Sequence, residues 1–198
     1  NNAIGFNPYS SIPFFARMDY GIVLTGCHRM TFGQFNATNT VSCADSAAVW
    51  AQDCTGIVFS AMRVGLWDYY VGGTNDGDGV VLSNCISCSI SDSIIAGSRI
   101  GLFLVDTTNT SVYGSTIGWN GSHWMREYGN REAGIRIIRG RGDRVGTAYS
   151  DAGRNVIADN HGDGIDVIDS SGVRIEGNHI GVDFNGTTPR TNDGIGVC

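Results

Sequence analysis

The chain has 198 residues, of which 29 are glycine and 3 proline, with 16% charged side chains and a formal net charge of −6. That length accommodates one sizeable core, and no Pro/Ser-rich linker or charge run divides it, so a single domain is expected. The acidic balance excludes a phosphate-tracking surface and hence a nucleic-acid partner, and no apolar run approaches the roughly 18 residues that membrane insertion requires.

Residues 1–20 form an N-terminal segment with aromatics at Phe6, Tyr9, Phe14 and Phe15. It has no basic stretch followed by an apolar one, reads as mature protein, and is expected to cover the first coil or an outer face. From Gly21 onward short runs of alternating apolar residues recur: GIVL at Gly21, AVWA at Ala48, GVVL at Gly79, GLFL at Gly101, GIRI at Gly134, GIDV at Gly164 and GIGV at Gly194. The intervals, 22 to 33 residues, are those of a solenoid whose coils share a core and differ in their loops. Eleven residues after the coil starts stand Phe32, Phe59, Ile90, Val112, Val145 and Ile175. At nine residues Met30, Ile57, Cys88, Thr110 and Val173 agree, with Asp143 the misfit; at sixteen, Ala37, Val64, Ile95, Ile117 and Ile180 give a third strand. Three short strands per coil, each alternating with period two, predict an all-β fold: a right-handed parallel β-helix of about seven coils over residues 21–198.

The first strand of each coil then has an inward row, Ile22/Leu24, Val49/Ala51, Val80/Leu82, Leu102/Leu104, Ile135/Ile137, Ile165/Val167 and Ile195/Val197, that no charge enters. Helix is disfavoured because glycines and β-branched residues interrupt every window; at most one short turn is expected, near Trp124 to Tyr128. The six cysteines suit an oxidising compartment and lack paired zinc-site spacing. Cys27, Cys54 and Cys85 each fall six residues after a coil start, predicting a stack of buried thiols rather than a chain of disulfides, while Cys43 and Cys198 are left open to pairing. Cys85 and Cys88 form a C-x-x-C that reads as strand rather than redox motif.

Residues 140–197 resemble the right-handed β-helix repeats of large secreted bacterial surface proteins. The matching residues are Asn155-Val156-Ile157, Gly164-Ile165-Asp166-Val167, Gly177-Asn178-His179-Ile180-Gly181 and Asp183 to Thr187. Earlier coils, such as GVVLSNCISCSISDSII from Gly79, more loosely resemble the pectate-lyase-like superfamily. Both resemblances imply the fold and neither implies a function, since this fold hosts many unrelated ones, so no catalytic residue is carried over; an extracellular or cell-surface setting is expected.

Candidate functional residues fall into several groups. On the outer face of the first sheet, Trp50, Val81, Phe103, Val105, Ile138 and Ile168 form an apolar stripe large enough to need a cover, either the segment Ile4 to Phe15 or another subunit. Arg136 and Asp166 are adjacent there and read as an ion pair between neighbouring rungs. Loop aromatics Trp67, Tyr69, Tyr70, Trp119, Trp124 and Tyr128 suit stacking on sugar rings. An acid/base set for a polysaccharide-active enzyme would come from His123, Glu127, His161, Asp163 and Asp166. The competing reading makes the aromatics a cap on the flank and the Asp and Asn residues turn formers. Asn36, Asn109, Asn120 and Asn185 lie in glycosylation sequons. Asp76, Asp78, Asp163, Asp183 and Asp193 could offer oxygens to calcium, without any complete calcium-binding loop, so no cofactor is required.

The last repeat, Gly194 to Cys198, stops inside a strand, which predicts either a longer polypeptide or end-to-end docking into a filament. The expected function is an extracellular structural or adhesive module whose partners are itself or other surface proteins, with a polysaccharide partner also open. The alternatives are a polysaccharide lyase, glycoside hydrolase or epimerase, and a carbohydrate-binding module without chemistry.

Overall fold

The computed structural model describes residues 2–4, 18–34, 38–65, 74–119, 128–148 and 150–198. Each apolar run pairs in parallel with the one a coil away, and three sheets result. The first contains β2 (Met18–Thr25), β5 (Ala44–Gln52), β8 (Asp78–Ser83), β11 (Ile100–Val105), β14 (Ala133–Ile138) and β17 (Asp163–Ile168). The second contains β3 (Thr31–Phe32), β6 (Val58–Ser60), β9 (Ser89–Ser91), β12 (Ser111–Tyr113), β15 (Arg144–Gly146) and β18 (Arg174–Glu176). The third contains β4 (Asn39–Val41), β7 (Met62–Val64), β10 (Ile94–Ile95), β13 (Thr116–Ile117), β16 (Val156–Ile157) and β19 (His179–Ile180), with β1 (Asn2–Ile4) added in parallel beside β4.

This is a parallel β-helix of about six coils among the described residues. The seventh repeat is present as its opening: Gly164 N donates to Ile195 O at 2.8 Å and Ile165 N to Gly196 O at 3.0 Å. The described residues contain no α-helix; they include a 3-10 turn at Asp151–Gly153. Residues 124–127 of the expected turn lie outside them.

The register of the first sheet puts Val49, Val80, Leu102, Ile135 and Ile165 in one column and Ala51, Leu82, Leu104 and Ile137 in the next, all buried. In the second sheet Phe32, Phe59, Ile90, Val112, Val145 and Ile175 follow one another in register, the first two rings stacked at 5.5 Å. The third sheet differs from expectation at one place. Val41, not Ala37, lies opposite Val64, because six residues separate β3 from β4 where one separates β6 from β7; Ala37 is outside the described residues. For the same reason Ile157 fills the third-strand position of the fifth coil, between Ile117 and Ile180.

Glycine recurs at coil starts because successive backbones approach there. A Cβ on Gly101 would lie 2.6 Å from Gly134 O, and one on Gly164 would lie 2.5 Å from Gly196 O. The turn from first to second sheet holds a different column, Asp53, Asn84, Asp106, Arg139 and Asp169, all left-handed with φ between 49° and 55°. Asn and Asp tolerate that conformation because their short side chains bond locally.

Polar residues inside the rod are joined from rung to rung. Asn130 Nδ2 donates to Asn160 Oδ1 at 2.9 Å, and Asn160 Nδ2 donates to Asn192 Oδ1 at 2.8 Å and to Ile117 O at 3.3 Å. A second ladder runs through Ser93, Ser115, Asn155 and Asn178. Each amide satisfies buried backbone groups where the chain bends between sheets, so Asn160→Ala is expected to cost about 2–3 kcal/mol, read from urea denaturation.

Asp143 is the interior exception that the repeat had marked. Its Oδ2 accepts from Thr107 Oγ1 at 2.7 Å and its Oδ1 from Thr110 N at 2.8 Å. Burial pushes this carboxyl above its ordinary value against those two bonds. A raised folded value means that the contribution of Asp143 to stability is fully present below the unfolded carboxylate range, near pH 4, and is lost as pH rises through the folded value. Thermal melts of wild type and Asp143→Asn from acid to neutral pH are therefore expected to diverge. Relative to the variant, the wild type loses stability as pH rises; parallel curves would contradict this.

All six cysteines are free thiols. Cys54, Cys85 and Cys88 are buried at the first turn, and the hydrogen bond with Cys85 holds the Cys88 thiol down to about 7. Only Cys198 is exposed, with Cys27 half-buried. Native titration with a disulfide reagent is expected to modify Cys198 first and Cys27 more slowly, the rest reacting after denaturation. Rapid modification of Cys88 would contradict its enclosure.

Candidate functional site

The outer face of the first sheet starts apolar and ends charged. Val23, Trp50, Val81, Phe103, Arg136 and Asp166 follow in register along one column. Tyr20 packs edge-on against Trp50 with ring centroids 5.8 Å apart. Val81, expected in an exposed stripe, is 1% exposed, whereas Trp50, Phe103, Val105 and Ile138 are half-buried and Ile168 is exposed. The buried Val81 has the larger side chains Trp50 and Phe103 in register on either side, so it offers no surface of its own.

The charged end belongs to an axial network. Arg99 Nη2 meets Asp78 Oδ2 at 2.8 Å and Arg99 Nη1 meets Glu132 Oε2 at 3.2 Å. Glu132 Oε2 also accepts from Arg136 Nη1 at 3.1 Å, and Arg136 Nε donates to Asp166 Oδ2 at 2.7 Å. Acidic and basic groups thus alternate over four coils, from the third to the sixth. Burial pushes Asp78 up despite Arg99. Burial acts the same way on Asp166, but the hydrogen bond from Arg136 outweighs it and holds the carboxyl below the usual range. The guanidinium of Arg136, opposed by burial, is raised in turn by Asp166 and Glu132.

Of the proposed acid/base residues, Asp166 is bound to Arg136 and also accepts from Cys198 Sγ at 3.2 Å. Asp163 Oδ1 accepts from Ile195 N at 2.6 Å, and exposed His161 lies 3.3 Å from Asp193. Asp163, Asp166 and Cys198 offer ligand atoms within 4.8 Å of one another. Those atoms already receive an arginine, a thiol and a backbone amide, so the constellation is a poor match for a cation. The acidic residues considered for calcium are dispersed. Asp78 faces Arg99, while Asp183 accepts from Thr187 N and Thr188 N in its own loop, where Thr188 and Thr187 hold it down to about 2.

Trp119 is 7% exposed, in a small cluster with Val156 and Ala158, and the Arg190 guanidinium lies 5.4 Å from its ring centroid. Trp119, expected as a sugar platform, thus has little open face, with that guanidinium against it. Tyr128 is half-buried and its carbonyl accepts from Gly97 N. Asn109 and Asn185 are exposed, at a left-handed turn position and within the loop after β19. Trp67, Tyr69, Tyr70, Trp124, His123, Glu127, Asn36 and Asn120 lie outside the described residues.

No protein-family model matches the chain. No curated protein matches it either. Among solved structures it is similar to trypsin-treated QnrB1, a plasmid-mediated fluoroquinolone resistance protein, at 11% identity and a TM-score of 0.21, over 79% of this chain and 91% of that one. A likeness of that size carries no functional argument.

Sequence reasoning found the Arg136–Asp166 contact because both residues occupy the same strand position one coil apart. It missed Arg99 and Glu132 and had Asp78 only as a calcium candidate, because all three stand at coil entrances where loop length, not strand period, sets the register.

Proposed function

We propose that the chain is a structural or adhesive β-helix module that works outside the cell, in the manner of the surface-protein repeats its last coils resemble. The observation carrying this reading is the engagement of the outer-face acids. Asp78, Glu132 and Asp166 are each held by an arginine of their own or a neighbouring coil, so these groups stiffen the rod axially. Glycoside cleavage instead needs two carboxyl groups facing a substrate, one free to donate a proton. The rung-to-rung amide ladders add to the same mechanical picture. Self-association is proposed through the first sheet's outer face, where Val23 and Ile168 remain exposed.

The test is incubation with uronate-containing and neutral polysaccharides, with and without calcium, followed by product sizing and absorbance of unsaturated sugars. Unchanged polymer is the expected result. Shortened or unsaturated products would replace this reading with a polysaccharide-active enzyme.

A further inference from the structure

We propose that the flank where the first sheet turns into the second is an oxyanion-binding groove for an acidic glycan. A cavity of about 300 Å³ lies there, lined by Asn84, Asp106, Thr108, Arg139 and Arg141. Its two walls are turn columns. Asn84, Asp106 and Arg139 occupy the left-handed position on three successive rungs, and Ile86, Thr108 and Arg141 follow in parallel bridge register beside them.

The polar groups of the groove are unequally used. Arg139 grips Asp106 through Nε at 2.7 Å and Nη2 at 2.8 Å, which fixes its plane and leaves Nη1 outside that pair. Asn84 spends its Nδ2 on Asp53 at 2.7 Å and keeps its amide oxygen. Exposed Arg141 has no ion pair within 4 Å to any described residue, although its charge helps to hold the Asp106 carboxyl below its ordinary value. Beside the groove, outside its lining, exposed Arg144 and Arg174 have none either, and they stand directly in register on β15 and β18. Like charges placed opposite on neighbouring strands repel, so this arrangement lowers stability unless an anion bridges them. A guanidinium binds carboxylate or sulfate oxygens through paired N–H groups, which suits all three positions.

The spread of the arginines selects a polymer over a small ion. Arg141 and Arg144 belong to one coil and Arg174 to the next, about 4.8 Å further along the axis. A single oxyanion spans only part of that area, whereas a chain bearing a charge on each repeat meets all of it. Asp106 lines the groove among the arginines, Asp169 follows Arg139 in the same turn column, and no aromatic ring lines the groove to stack a base. Both features favour a glycan over nucleic acid, whose single strands are held largely by stacking and dense phosphate contacts.

The inference rests on the module reading and extends it by naming a ligand class. Fluorescence anisotropy would be measured with labelled dextran sulfate, alginate, neutral dextran and a single-stranded oligonucleotide. Dextran sulfate, alginate or both are expected to bind at low ionic strength and to be released by salt, and neutral dextran to stay free. At about pH 3 alginate is protonated and loses affinity, whereas dextran sulfate keeps its charge, so the pair separates carboxylate from sulfate as the source. Replacing Arg141, Arg144 and Arg174 together by Ala is expected to weaken binding about 10- to 100-fold, with Arg29→Gln on the first coil as an unchanged control. All four side chains are exposed, and a circular dichroism melt verifies that the triple variant folds. Neutral dextran or the oligonucleotide binding as tightly, no acidic polymer binding, or a triple variant at wild-type affinity would each overturn the groove. Polymer shortening would overturn the module reading while leaving the groove standing.

Discussion

Leu104→Ala is expected to lower stability by about 3–4 kcal/mol, among the largest losses available to a single truncation in this rod. Leu104 is 0% exposed and lies in register between Leu82 on one side and Ile137 on the other. Neighbours on both rungs are fixed by backbone hydrogen bonds at the strand spacing, so they cannot close over the vacated volume. The cavity therefore persists, and its cost adds to the lost burial. Val23→Ala, on the same sheet but 56% exposed, is expected to change stability by less than about 0.5 kcal/mol. Urea denaturation of both variants decides the matter, and equal shifts would mean that the inward and outward faces had been exchanged.

Gly134→Val is expected to cost about 3 kcal/mol through overpacking rather than through a hole. A Cβ there would stand 2.7 Å from Gly164 O, 2.8 Å from Asn160 Nδ2 and 3.0 Å from Ile157 Cγ2. Three neighbours would have to move together: the next coil's backbone, the amide ladder and the third sheet. Gly26 provides the contrast, since a Cβ there meets nothing within 4 Å and only its positive φ of 61° resists substitution. Gly26→Ala is thus expected to cost about 1 kcal/mol. Thermal melts of the two variants that matched in size would show that conformational preference, not close approach, keeps glycine at coil starts.

Much of the fold was legible because strand positions repeat. Two inward residues per first strand and one per second strand gave columns such as Phe59, Ile90 and Val112 that the register reproduces. The third strand was less legible because it follows loops of unequal length, which is how Ala37 stood in for Val41. Asp143 was visible as a break in an apolar column, yet only the structure supplies Thr107 and Thr110 as its partners. The two amide ladders were hidden because Asn and Ser between strands read equally well as turn residues.

The candidate sites were less legible than the core for a related reason. Surface chemistry depends on which side chains meet across coils, and those meetings follow loop length. Arg136 and Asp166 share a strand position and could be paired by counting, whereas Arg99 and Glu132 could not. Trp119 shows the same dependence: an aromatic in a loop-flanking position read as a platform, while Arg190, two coils later, lies against its ring. The thiol column needed no such meeting, since Cys54 and Cys85 occupy the same turn position one coil apart.

A crystal structure of the protein tests the stacking of rungs most directly, through the Cα–Cα distance between Leu82 and Leu104. Adjacent parallel rungs place them about 4.8 Å apart with both side chains turned inward. A separation of two strand spacings or more, or the two side chains on opposite faces of a sheet, would contradict the account.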